Sequence, residues 1–211
     1  LHDAGALSLS EELDEFYYDL NDPHQHAEVG FKLLREYKPL TVVSEIIRHH
    51  HVPWRGGEGR FFCEREVPYN SHVIHLAERI CSLINEKEEI LGQRAMFDLL
   101  VRENKGGIFV PEIADAFLSL SHRESFWFEV TSRRIGEPLA DFMAEQPATI
   151  DKDGIFSIAQ LFYEIIDFRS RFTMNHSSGV AVVAEFLART MGIEDERVQD
   201  IKVAGYLHDL G

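Results

Sequence analysis

Residues 176–208 admit one kind of local structure. Counting from His176, the apolar side chains fall at Val180, Val183, Ala184, Leu187, Ala188 and Met191, a spacing of three and four that only a helix places on one face. Gly192 then supplies a helix stop, and a second helical stretch begins near Glu194 and runs through Ala204 and Leu207 to His208. The two arms are about 15 and 13 residues, or roughly 23 and 20 Å at 1.5 Å per residue. In an antiparallel hairpin of nearly equal arms, His176 at the start of one comes back to His208 at the end of the other, with Asp209 next in the chain. His176 is expected on the buried stripe.

The rest of the chain follows the same periodicity. Helices are predicted over residues 26–37, 41–50, 71–86, 87–103, 111–120, 137–144 and 155–168. Asn21-Asp22-Pro23 precedes the first of them, and Thr41, after Pro39, reads as a cap for the second. "PWRGGEGRFF" and "NKGG" read as loops, and period-two alternation builds up nowhere, so the expected class is all-α.

Composition narrows the function. The 211 residues include 36 acidic against 21 basic side chains, a formal net charge of −15, which argues against a nucleic acid polymer or an anionic lipid surface as the partner. No apolar run reaches membrane-spanning length, so no membrane insertion is expected. The two cysteines, Cys63 and Cys81, lack metal-pair spacing, are expected half-buried, and fit a reducing, cytoplasmic setting. Leu1 in place of an initiator methionine suggests a piece of a longer protein.

The outlying number is 11 histidines, five of them between His24 and His51. His176, His208 and Asp209 form one candidate metal set. His2-Asp3, His26, His50-His51 and Glu78 form another, with Glu78 one turn after His75 among apolar neighbours. Imidazole with carboxylate suits iron, manganese or zinc. The residues alone leave two readings open. His176 is either a ligand or a core histidine satisfied by a carbonyl, and His49–His51 are either ligands or a solvated helix terminus. Glu78 is either a ligand or an ion-pair partner of Arg79 or Arg48. His24, His72 and His122 are assigned structural or surface roles.

Taken in order, "LHDAG", "HAEVGFKLL", "IIRHHHVPW" and "VIHLAERI" over residues 1–84 resemble the successive blocks of the HD superfamily of metal-dependent phosphohydrolases. The detail is similar to its HD-GYP branch, the cyclic di-GMP phosphodiesterases. "DFRSRFTMNHSSGVAVVAEFLA" and "AGYLHDLG" resemble the beginning of the same domain a second time. The resemblance implies an HD-domain helical bundle in tandem. A first module at 1–86 lacks its leading helix, a helical connector spans 87–166, and residues 167–211 are the first hairpin of a second module. A single permuted site joining both halves is the weaker alternative, because His2-Asp3 already fills the His-Asp role.

The resemblance makes His2, Asp3, His26, His50, His51, Glu78, His176, His208 and Asp209 metal ligands, with Asp3 and Asp209 bridging as the catalytic aspartates. It implies two or three divalent ions per complete site, iron or manganese first and zinc or nickel as alternatives. The implied reaction is hydrolysis of a cyclic dinucleotide phosphodiester, cyclic di-GMP, by a metal-bridged hydroxide. Arg55 is a candidate phosphate contact, and a homodimer is among the assemblies allowed. Three departures bear on activity. Glu78 stands where an aspartate is usual, Ala6 stands where the HDxGK lysine would be, and "VPWRGGEG" replaces the GYP signature. Ala6 and the missing GYP signature favour, for the first module, the alternative of a non-catalytic sensory or regulatory partner; an HD phosphohydrolase acting on another nucleotide is a further alternative.

Overall fold

The computed structural model describes residues 24–132, 150–169 and 176–209. His2, Asp3, Ala6, the Asn21–Pro23 cap and the helix expected at 137–144 lie outside the described residues. Nine α-helices occur among the described residues: α1 (His24–Arg35), α2 (Thr41–Arg48), α3 (Tyr69–Ser82), α4 (Ile90–Asn104), α5 (Pro111–Leu120), α6 (Glu124–Val130), α7 (Lys152–Arg169), α8 (His176–Thr190) and α9 (Asp195–Leu207). The all-α expectation holds, and none of the described helices is long and apolar enough to cross a membrane. The segment read as a plain loop folds a two-residue hairpin, β1 (Phe61–Phe62) against β2 (Arg65–Glu66), antiparallel with Phe61 opposite Glu66. α6 went unread because its run of seven residues is too short to show a period.

The chain divides into two compact units, one of residues 1–48 with 149–211 and the other of residues 49–148. In the first, Leu34 of α1, Ile47 of α2 and Leu161 of α7 form one apolar cluster, flanked by Tyr37, Leu40, Val43 and Ile165. Thr41 does not cap α2. A 3-10 turn at Lys38–Leu40 runs straight into the helix, and the Thr41 hydroxyl donates back to the Lys38 carbonyl at 2.9 Å. Arg48 closes α2 with a two-pronged grip on Glu28, at 2.7 and 2.9 Å, and lies over the Phe31 ring.

A second cluster in this unit joins Ala159 of α7, Ala181 of α8 and Tyr206 of α9. Tyr163 stacks on Tyr206 with centroids 4.6 Å apart. The α8–α9 hairpin closes on small residues. A Cβ placed on Gly205 would stand 2.7 Å from the Ala181 Cα, so the two backbones are in direct contact there. Ser177, Ala181 and Ala188 are the residues α8 buries. The large side chains expected on a buried stripe instead face outward, with Val183, Leu187 and Met191 58%, 59% and 76% exposed. His176 is exposed with them. Periodicity identifies an apolar face, but close backbone approach selects the small-residue face for the contact.

The second unit has a larger core. Leu76, Ile80, Phe97, Val101, Phe109, Phe117 and Trp127 pack together, and Trp127 is wholly buried. Its indole N–H donates to the Ser121 carbonyl at 2.8 Å, which removes the cost of burying that donor. Phe97 stacks on it at 5.2 Å and Phe126 meets it edge-on at 5.1 Å. Both cysteines are free and exposed, Cys63 at the hairpin turn with φ of 48°, which corrects the half-buried expectation.

Gly205→Ala is expected to lower stability by roughly 1–3 kcal/mol, because a methyl group must enter an overfilled contact. A thermal melt checks this, and an unchanged midpoint would mean the hairpin tolerates a wider crossing.

Candidate metal centre

The hairpin delivers the convergence expected from its arm lengths. His176, the first residue of α8, and His208, just past the end of α9, bring their Nε2 atoms to 3.2 Å. The Asp209 Oδ2 lies 3.4 Å from His176 Nε2 and 3.1 Å from His208 Nε2. His208 Nδ1 sits 2.9 Å from the Gly205 carbonyl oxygen. A carbonyl only accepts, so Nδ1 donates there and Nε2 is the nitrogen turned toward Asp209. An imidazole nitrogen and a carboxylate oxygen at 3.1 Å share a positive centre, either a proton or a metal ion. Ligating histidines are held in this manner, with the far nitrogen donating to a carbonyl. The donor set therefore fits a divalent ion.

The three side chains are half-exposed. Beside His176 opens an apolar groove of about 530 Å³, lined by Gly179, Val180, Val183, Ala184 and Leu187.

The other expected set falls on both units. His26 lies on the buried face of α1 with Gly30 and Leu34. His50, His51 and Glu78 belong to the second unit. α2 ends at Arg48, two residues earlier than expected, so His49–His51 form the turn that follows it rather than its last helical turn. Consecutive helical residues would point about 100° apart. In the turn, the His50 and His51 rings instead lie 4.0 Å apart at 41°, and one ring nitrogen of each lies within 4.8 Å of the other.

Glu78 reaches this pair from α3. One carboxylate oxygen is 3.7 Å from His50 Nε2 and the other 3.8 Å from His51 Nε2. The His50 side chain is fully buried and that of His51 is 13% exposed, which removes the reading of a solvated helix end. His49, also buried, packs edge-on to Phe62.

The histidines assigned other roles behave variously. His72 is buried and stands edge-on to Trp54 at 5.5 Å. Burial pushes its pKa below the usual imidazole range, opposed by the backbone at Val52 and Gly59, so it packs as a neutral ring. His122 meets Arg94 on the surface. Arg55, the candidate phosphate contact, is exposed at φ 48°, ahead of Gly56 and Gly57, which also have positive φ. The residue sequence reasoning passed over is His75. It is buried one turn before Glu78, and its visible signal is that i, i+3 spacing alone.

Residues 1–91 match the family model of the HD domain. Similarity also extends to particular proteins. The chain is 26% identical over 225 residues to the 3'3'-cGAMP-specific phosphodiesterase 1 of Vibrio cholerae, covering 100% of this chain and 51% of that protein. It is 26% identical over 140 residues to a cyclic di-GMP phosphodiesterase of Thermotoga maritima, covering 57% of this chain and 35% of that one. The crystal structure of a cyclic GMP-AMP specific phosphodiesterase of V. cholerae matches with a TM-score of 0.68 at 22% identity, over 89% of this chain and 45% of the other, which establishes the shared helical fold. The chain is thus similar to cyclic dinucleotide phosphodiesterases and spans about half the length of these relatives or less.

His208→Ala is expected to weaken Co²⁺ binding at the hairpin by more than the roughly 10–100-fold that loss of an outer partner costs. Chelator competition measures the change, and circular dichroism checks that helix content is kept. An affinity equal to that of the unaltered protein would remove the hairpin as a metal site.

Proposed function

We propose that the chain is part of a metal-dependent phosphodiesterase acting on a cyclic dinucleotide, with cyclic di-GMP and 3'3'-cGAMP as the substrates its relatives' names suggest. The observation that carries this reading is the apposition of His208 Nε2, His176 Nε2 and the Asp209 carboxylate within 3.1–3.4 Å. His176, His208 and Asp209 would hold one ion set. His2, Asp3, His26, His50, His51 and Glu78 would hold the other, iron or manganese being the first expectation for both. When bound, such ions supply Lewis acidity toward phosphoryl oxygens and a water nucleophile at neutral pH.

The protein's own groups have separable tasks. The Gly205 carbonyl keeps the proton on His208 Nδ1 and so keeps Nε2 available as a donor. Asp209 supplies negative charge beside both imidazoles. The half-exposed position of the three side chains leaves room for a substrate phosphate to approach. In the first set, Glu78 spans His50 and His51 with one oxygen each, so the extra methylene relative to aspartate does not prevent it from meeting both rings.

A tandem arrangement is part of the proposal, with modules at 1–86 and 167–211 and a connector between. It is supported by a separate His/His/Asp group on the α8–α9 hairpin and by the uncovered apolar face of α8 beside that group. The free, exposed Cys63 and Cys81 suit a reducing, cytoplasmic compartment. A second reading, that the first module is sensory or regulatory, is favoured by Ala6 standing where the family motif has lysine.

Protein loaded with Mn²⁺ or Fe²⁺ is expected to linearise a cyclic dinucleotide and to lose that activity on chelation. Asp209→Asn should lower the rate by about 100-fold, the scale of losing a group that stabilises developing charge. Full metal loading with no turnover of either cyclic dinucleotide would favour the regulatory reading. Hydrolysis confined to nucleoside monophosphates would move the substrate class.

A further inference from the structure

We propose that His75 is a positioning residue for the His50–His51 pair, braced from behind by Phe109. The inference rests on the metal reading above and adds a part that the ligand set does not contain. His75 and Glu78 occupy positions i and i+3 of α3 and so share a face of that helix. His75 is 5% exposed, with its ring edge-on to His51 at 6.2 Å and 75°. Phe109, 2% exposed, meets the His75 ring edge-on at 5.8 Å and 75°. The three rings form a relay from the 104–109 loop to the candidate ligand. His75 is not one of the residues whose donor atoms converge with those of His50 and His51.

The backbone repeats the connection. The N–H groups of Trp54, Arg55 and Gly56 donate to the carbonyls of Ile108, Gly107 and Gly106 at 2.9, 2.6 and 2.8 Å. The segment that follows the histidines is thus laced to the loop that carries Phe109. Gly106, at φ 79°, lets that loop turn, and its N–H returns to the Phe109 carbonyl at 2.8 Å. Metal ligation requires an imidazole nitrogen aimed within a narrow cone, and buried edge-to-face packing fixes a ring plane without using a nitrogen. "NKGGIF", which the sequence presents as a separator, is the outer wall of the histidine turn.

The test measures Co²⁺ affinity by chelator competition and the d–d absorption band, in full-length protein carrying His176→Ala and His208→Ala so that only the first set reports. In that background, His75→Ala should raise the dissociation constant by about 10–100-fold, the loss typical of an outer-shell partner. His75→Phe, which keeps a ring of similar shape, should recover most of the affinity. Phe109→Leu, which keeps apolar volume, should weaken binding in the same direction. The band position should stay fixed throughout, because the ligands are unchanged.

Unchanged affinity in His75→Ala or in Phe109→Leu overturns the brace. Equal weakening in His75→Ala and His75→Phe, or a shifted band, makes His75 act through its nitrogen and overturns the packing role. A background protein that takes up no Co²⁺ defeats the metal reading of the first set, and the positioning role with it.

Discussion

His208 Nε2 faces a carboxylate oxygen of Asp209 at 3.1 Å, and His176 Nε2 stands 3.2 Å from the same nitrogen and 3.4 Å from the same oxygen. Two imidazole nitrogens and a carboxylate gather like this around shared positive charge, carried by protons or by a metal ion. A proton on either imidazole would serve one pair at a time, whereas a divalent ion would serve all three groups together. The Gly205 carbonyl decides which nitrogen of His208 is offered, so the main chain of α9 takes part in setting the site's chemistry.

That meeting point depends on how closely α8 and α9 approach. With Gly205 against Ala181, the two helix backbones touch, and the ends of the arms are fixed to within side-chain reach. A larger pair at the crossing would splay the hairpin and separate two imidazoles that are 32 residues apart in sequence. Stability and site geometry are linked here through one small-residue contact. In the second unit, the buried cluster around Trp127 and Phe97 supports α4 to α6, and the loop between α4 and α5 is hydrogen-bonded to the segment that follows the histidine turn.

Much of this could be read from the sequence, for identifiable reasons. Arm lengths are integers fixed by helix geometry, so the pairing of His176 with His208 followed from counting residues. The all-α class followed from three-four spacing in stretch after stretch and from the lack of any period-two run. Burial was less legible. The stripe of Val183, Leu187 and Met191 is apolar, yet α8 turns Ser177, Ala181 and Ala188 to its neighbour. Sequence patterning shows which face is apolar, while contact distance decides which face is covered.

The same limit applied to the histidine turn. α2 stops at Arg48, and the backbone beyond it brings His50 and His51 together in a way that helical projection cannot anticipate. His75 and the "NKGGIF" loop were silent because they meet only through packing between segments over 30 residues apart. The short hairpin at Phe61–Glu66 and the seven-residue α6 fell below the length at which any period can be recognised.

The most direct measurement is an anomalous diffraction map recorded at the absorption edge of Co²⁺ bound to the crystalline protein. The account predicts a peak about 2.0–2.2 Å from His176 Nε2, His208 Nε2 and an Asp209 oxygen. A map with no peak there, and His176 instead hydrogen-bonded as an imidazolium between His208 and Asp209, would contradict it.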